Sequence, residues 1–303
     1  MANSVFVHLL PDLFQPEQLT GGIAVIIDIL RASTTMITAL HHGAAAVVPC
    51  GTVEQAMHIR QTSGPETRVL LGGERGGVRI EGFDLGHSPA DYTTDVVDSR
   101  ILGFTTTNGT RALLRSVQAD QIVVGAFVNL SVLITHLRRK NRPVHLVCAG
   151  TDGHITGEDV LFAGAVVDRL LCKPMCIDND SSTVYETWIP DDSAVIAQSY
   201  WRQQSGQPPE PQTDAAHRNF DETQNPAISC DRFASADSLS IPDAAGLTAA
   251  LRNTKGGRNL TALGFSDDIE LCCRIDSVPA LPEYCPFQKH LTIGRSIQTQ
   301  ETE

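Results

Sequence analysis

Charged and hydroxyl side chains gather in four short segments, each directly after an apolar run. The first, DILRASTT at residues 28–35, sets Asp28 at the end of the run IAVIIDIL and Arg31, Ser33 and Thr34 just beyond it. A helix beginning there offers unpaired N–H groups and the positive end of its dipole, which suits phosphate. Arg31 could clamp an oxyanion in two-pronged fashion, and Asp28 could hold a cation. The second, LGGERGGVRIEGFDLGHSP at 71–89, packs six glycines among Glu74, Arg75, Arg79, Glu81 and Asp84. Glycine lets backbone approach a ligand closely, and Ile80, Phe83 and Leu85 give the loop apolar anchors of its own. The third, TTTNGTRALL at 105–114, offers Asn108 and Gly109 for a tight turn, Thr110 as a cap and Arg111 in the first helical turn. Arginine there opposes the helix dipole, so a bound anion would explain it. The fourth, CAGTDGHITGEDVLFAG at 148–164, carries Glu158 and Asp159 into a helix, where they either complement the dipole or bind metal or water.

These segments need a scaffold that brings strand ends together. Apolar runs at 23–30, 45–50, 68–74, 100–107, 121–127 and 143–150 alternate with helical patterns near 32–43, 52–62, 111–117, 129–139 and 158–171. Strands rich in Ile, Val and Leu, separated by helices, predict a three-layer α/β/α fold with a mainly parallel or mixed sheet. Ligands of such sheets sit beyond the carboxyl ends of the strands, where all four segments fall. Residues 1–175 read as the α/β core with the phosphate-binding loops, and 176–303 as a C-terminal part completing the fold. Within the latter, a polar, proline-bearing stretch at about 205–243 reads as a surface insertion.

Composition narrows the chemistry. A formal net charge of -12 speaks against nucleic acid and against an anionic membrane face. Only Lys140, Lys173, Lys255 and Lys289 are lysines, and none stands in the Gly-Lys-Ser/Thr step of a phosphate-binding P-loop. A nucleotide-using transferase is correspondingly disfavoured. With neither a signal-like N-terminus nor a long apolar run, a cytoplasmic protein with reduced cysteines is expected. Aspartyl-phosphate phosphatases carry a second acid two residues after the nucleophile, a position that Leu30 occupies here.

Taken in order, DILRASTT, GGERGG-RIEGFDLGHSP, TTTNGTRAL, CAG-ED and the late GFSDDIELC resemble the 2-phosphosulfolactate phosphatase family. The resemblance is close over about 20–172 and looser over about 244–283, with no counterpart for the polar stretch. It implies magnesium-dependent hydrolysis of 2-phosphosulfolactate to sulfolactate and phosphate, in a coenzyme M biosynthetic route. On those motifs, Arg31, Ser33, Thr34, Arg75, Arg79, Asn108, Gly109, Thr110 and Arg111 are expected to bind the anionic ester. Asp28, Glu158 and Asp159 are the expected magnesium ligands, while Glu74 or Asp84 would orient water. Attack by water and attack by Asp28 both stay open. So do a phosphatase for another phosphorylated hydroxy acid and a non-catalytic small-anion-binding protein, although the acids favour catalysis. A small anionic ester is the expected partner, and a homo-oligomer is compatible with all of these readings.

Overall fold

The structure is a computed structural model describing residues 3–64, 67–172, 187–205 and 244–293. Its strands are β1 (Asn3–His8), β2 (Ile23–Ile27), β3 (Ala46–Cys50), β4 (Val69–Arg75), β5 (Val78–Arg79), β6 (Ile101–Thr105), β7 (Gln121–Gly125), β8 (Val144–Cys148), β9 (Trp188–Pro190), β10 (Pro282–Cys285) and β11 (His290–Ile293). The helices are α1 (Ala32–His41), α2 (Val53–Thr62), α3 (Thr94–Val97), α4 (Gly109–Arg115), α5 (Leu130–Lys140), α6 (Gly157–Leu171), α7 (Asp192–Ser205), α8 (Ala244–Arg252), α9 (Lys255–Ala262) and α10 (Ser266–Cys272).

The strands form one mixed sheet in the order β5-β4-β6-β3-β11-β10-β7-β2-β8-β1-β9. Every residue of β2 and β8 is buried, so these strands are covered on both faces, as the unbroken apolar sequence of β2 requires and that of β8, interrupted only by His145, favours. The α/β architecture expected from the sequence is therefore present. Its parallel part is divided in two, with β4, β6 and β3 on one side and β7, β2, β8, β1 and β9 on the other.

Between these halves lies the β10–β11 hairpin, which the apolar pattern alone did not predict. It pairs with each half at a single register position, Glu283 with Val123 and Leu291 with Val47. All three ladders through the hairpin are antiparallel, so the two halves run in opposite senses. The seam is covered by α1, which packs on β3, β7, β10 and β11.

Two connections cross the seam: β2 leads through α1 to β3, and β6 leads through α4 back to β7. The loops that begin these two crossings meet, with Gly109 after β6 standing against Asp28 after β2. The C-terminal helices lie alongside, with α9 packed on α6 and α10 on the turn at Pro89–Asp91. The boundary predicted near 175 and almost all of the stretch predicted as an insertion at 205–243 lie outside the described residues. Among the described residues, Cys50, Cys148, Cys272, Cys273 and Cys285 are free thiols.

Candidate active site

A cavity of about 350 Å³ opens at the crossover. Its wall combines the ends of four strands with one helix: Asp28 and Arg31 after β2, Glu74 and Gly77 around the β4 turn, Thr106–Asn108 after β6, Thr151 and Asp152 after β8, and Gly256 and Asn259 from α9. All four polar segments singled out in the sequence thus contribute to one cavity.

The loop after β2 is held by its own hydroxyls. The Asp28 N–H donates to Ser33 Oγ at 2.9 Å, Ser33 Oγ donates to the Ile26 carbonyl, and Thr34 Oγ1 donates to the Ile29 carbonyl. Ser33 and Thr34 are fully buried and serve the loop backbone. This bracing presents Asp28 to the cavity beside Gly109, where an added Cβ would stand 2.8 Å from Asp28 Oδ2. Gly109 therefore owes its place to the nearby carboxylate. It is the first residue of α4, without the positive φ that would call for glycine in the expected tight turn.

Three carboxylates lie close together here. Burial, followed by the negative charge of Glu74 and then that of Glu158, pushes Asp28 up to about 7. Burial and the Asp28 and Glu158 charges push Asp159 well above the usual carboxylate range. Glu158 is raised mainly by burial. Asp159 is fully engaged: Oδ1 accepts from the Ile29 N–H at 2.9 Å, and Oδ2 accepts from the Gly150 N–H at 3.0 Å. It ties the loops after β2 and β8 together. Glu158, 2% exposed, lies at the N-terminal end of α9 against Gly256, yet its Oε2 is buried without a hydrogen-bond partner. A buried, unpartnered carboxylate oxygen beside other acids is one that a cation would satisfy. Among the described residues, no three His, Cys, Asp or Glu side chains form a ready-made metal cluster.

The basic side chains are distributed differently. Among the described residues, Arg31 is the one arginine or lysine lining the cavity, against Asp28, Glu74 and Asp152. His87 also lines it, but burial and the Arg31 charge bring it down to about 3, so it is neutral. Its Nε2 lies 3.1 Å from the Thr105 carbonyl, which makes that nitrogen the donor.

Arg75 and Arg79 are exposed on the β4–β5 hairpin and donate to the carbonyls of Glu74 and Asp84. Asp84 accepts from the Leu71 N–H and pairs with Arg60, fastening its own loop away from the cavity wall. Glu74 faces the cavity and accepts from the Gly77 N–H at the hairpin turn. Asn108 Oδ1 accepts from the Asp152 N–H at 3.2 Å, joining two loops of the wall.

Arg111 pairs with Asp12 and lines a neighbouring, more open cavity of about 560 Å³ together with Thr110, Leu114 and Arg115. Thr106 and Thr107 border both cavities. His87, Thr107, Asp152 and Asn259 are wall residues that sequence reasoning did not select. The GHSP and CAGTDG segments contained two of them, whereas Asn259 gave no signal.

A crossover cavity whose wall combines acidic side chains with a single arginine is the candidate active site of this α/β fold. Residues 8–220 match the family model described as 2-phosphosulpholactate phosphatase, and the chain belongs to that family. A relative from Symbiobacterium thermophilum is 30% identical over 272 residues, covering 90% of this chain and 95% of the relative. One from a Synechococcus species is 40% identical over 195 residues, 61% of this chain and 80% of the relative. Another, from Caldanaerobacter subterraneus subsp. tengcongensis, is 40% identical over 146 residues; that alignment spans 48% of this chain and only 60% of the relative. All three carry the name "Probable 2-phosphosulfolactate phosphatase".

Proposed function

We propose that this chain is a cytoplasmic, magnesium-dependent phosphatase that hydrolyses 2-phosphosulfolactate to sulfolactate and phosphate, as in coenzyme M biosynthesis. The observation that carries the reading is the charge of the cavity. Its wall holds Asp28, Glu74 and Asp152 with Glu158 behind it, while Arg31 is already balanced by Asp268. An ester bearing phosphate, sulfonate and carboxylate would be repelled by such a wall unless a cation came with it. Asp28 and Glu158 are the proposed ligands, and Asp159 keeps their loops in register. Bound there, magnesium would neutralise phosphate oxygens and draw charge from the ester as it breaks.

Arg31 supplies the fixed two-pronged donor to the phosphoryl group. The loop around Thr106–Asn108 contributes polar groups from the opposite wall. In this reading Glu74, which lines the cavity, orients a water and takes its proton. A pure anion binder would gain nothing from burying these acids.

A phosphate-release screen over phosphorylated hydroxy acids, with magnesium or with EDTA, tests the reading. Release is expected from 2-phosphosulfolactate with magnesium and not with EDTA. Release unaffected by EDTA would remove the metal from the proposal, and preference for another hydroxy-acid phosphate would reassign the substrate.

A further inference from the structure

Arg31 is held by residues distant in sequence. Its Nη1 donates to Asp268 Oδ2 at 2.5 Å, and its Nη2 donates to the Gly77 carbonyl at 2.9 Å. The guanidinium also lies over the Phe265 ring, 4.4 Å from its centroid. Asp268 uses its other oxygen as well, with Oδ1 accepting from Ser88 Oγ at 2.6 Å. The side chains of the ion pair are only 3% and 6% exposed.

As a device for binding an anion, this pairing is paradoxical. It buries a carboxylate at a desolvation penalty and cancels the one arginine charge of the cavity wall. Orientation resolves the paradox. A free arginine samples many rotamers, whereas this one has two donors anchored and a ring beneath its plane. A guanidinium carries five N–H donors, so three remain for an oxyanion in the cavity that Arg31 lines.

We infer that Asp268, itself held by Ser88, is a positioning residue that fixes the Arg31 guanidinium for the phosphoryl group. Through this pair α10, far along the chain, becomes part of the active site. The inference rests on the phosphatase reading for its kinetic consequence but not for its structural one.

The test uses the full chain with Asp268→Asn, Ser88→Ala, Arg31→Gln and the two double variants containing Arg31→Gln. In phosphate release, Asp268→Asn lowers kcat/KM about tenfold to a hundredfold, the range of a charge-assisted hydrogen bond, chiefly through kcat. Adding Asp268→Asn to Arg31→Gln brings no further loss, because Asp268 acts through Arg31. Wild-type kcat/KM in folded Asp268→Asn, or losses that multiply in the double variant, would overturn the inference.

If Asp268→Asn does not fold, Ser88→Ala decides. It is expected to lose about threefold to tenfold, again only when Arg31 is present, and an unchanged kcat/KM would overturn the proposal. Substrate-free NMR of the labelled Arg31 guanidinium separates this from failure of the phosphatase reading. Separate, slowly exchanging Nη signals are expected in the wild type, merging in Ser88→Ala, whether or not any ester is hydrolysed. A freely rotating guanidinium in the wild type would sink the inference on its own.

Discussion

The loops DILRASTT and TTTNGTRALL carry similar residues: a strand end, hydroxyls, a helix start and one arginine. The structure nevertheless gives the two arginines opposite surroundings. Arg31 has a side chain 3% exposed, pinned by Asp268 and facing the acidic cavity. Arg111 is 51% exposed, pairs with Asp12 and faces the neighbouring cavity. Strand position accounts for the contrast. The first loop leaves β2, deep in the sheet, and is met by α10 and the β4–β5 turn; the second leads into α4, whose outer face meets the Asp12 turn. Tertiary surroundings, not the local pattern, decide which arginine is immobilised.

The sharpest test of that contrast lies one turn before Arg31. Asp28→Asn removes the proposed metal ligand while keeping its volume, and kcat/KM should fall at least about a hundredfold, as for loss of a group stabilising the transition state. Its effect on stability has the opposite sign. Asp28 has a folded pKa of about 7 against an ordinary value of 3.8. Its contribution to stability is thus fully present below pH about 4 and lost as pH rises through about 7. Without metal, the wild-type Tm should fall across that window, and Asp28→Asn should flatten the fall. Magnesium at a hundred times its Kd should restore about 2.7 kcal/mol in the wild type at pH 8. Thermal scans at pH 5 and 8, with and without magnesium, read this directly, and a Tm blind to magnesium at both would contradict the ligand assignment.

Next in size is Arg31→Lys. The charge survives, but one ammonium cannot reach Asp268, Gly77 and a phosphoryl oxygen with fork geometry. A loss of about tenfold to a hundredfold in kcat/KM is expected. Steady-state kinetics giving wild-type efficiency would mean that Arg31 is only a structural tie.

Gly109→Ala probes the same site from the other loop. The new methyl group would press on Asp28 Oδ2 at 2.8 Å and on Thr106 at 3.2 Å, with Ala32 in ordinary contact at 3.5 Å. Moving a reacting group by a fraction of an ångström should lower kcat by about tenfold, with the fold intact by circular dichroism. Unchanged kinetics would show that Asp28 has room to retreat and that its present position is not critical.

Much of this was legible in the sequence because β2, β6, β7 and β8 are short, nearly unbroken apolar runs, each ending in a polar loop. The four charged segments also stand out in the sequence, and all four contribute to the wall of one cavity. The β10–β11 hairpin was not legible, since PEYC and HLTI are too short and mixed to signal strands, and their pairing depends on the seam between the half-sheets. Partners distant in sequence were invisible as well. Nothing local ties Arg31 to Asp268, 237 residues away, or shows that both oxygens of Asp159 are engaged by the loop backbone. Local pattern locates polar loops, whereas the division between ligand-binding and loop-bracing side chains depends on packing.

The smallest effect is expected at Arg111, and it tests the contrast from its other end. From the sequence alone, Arg31 and Arg111 would clamp one substrate together and suffer equally on replacement by lysine. In the structure Arg111 does not line the first cavity, and its partner Asp12 has a side chain 54% exposed. An exposed ion pair contributes about 0–1 kcal/mol, and lysine can still pair with Asp12. Arg111→Lys should therefore keep kcat/KM within about twofold of wild type and shift stability by less than about 0.5 kcal/mol. Running it beside Arg31→Lys in one assay makes the ratio of the two losses the measurement, independent of protein concentration errors common to both. A ratio near one with both variants impaired would mean that the loop after β6 swings Arg111 over Thr106 and Thr107 into the first cavity when substrate is bound. The two loops would then form one phosphate cradle.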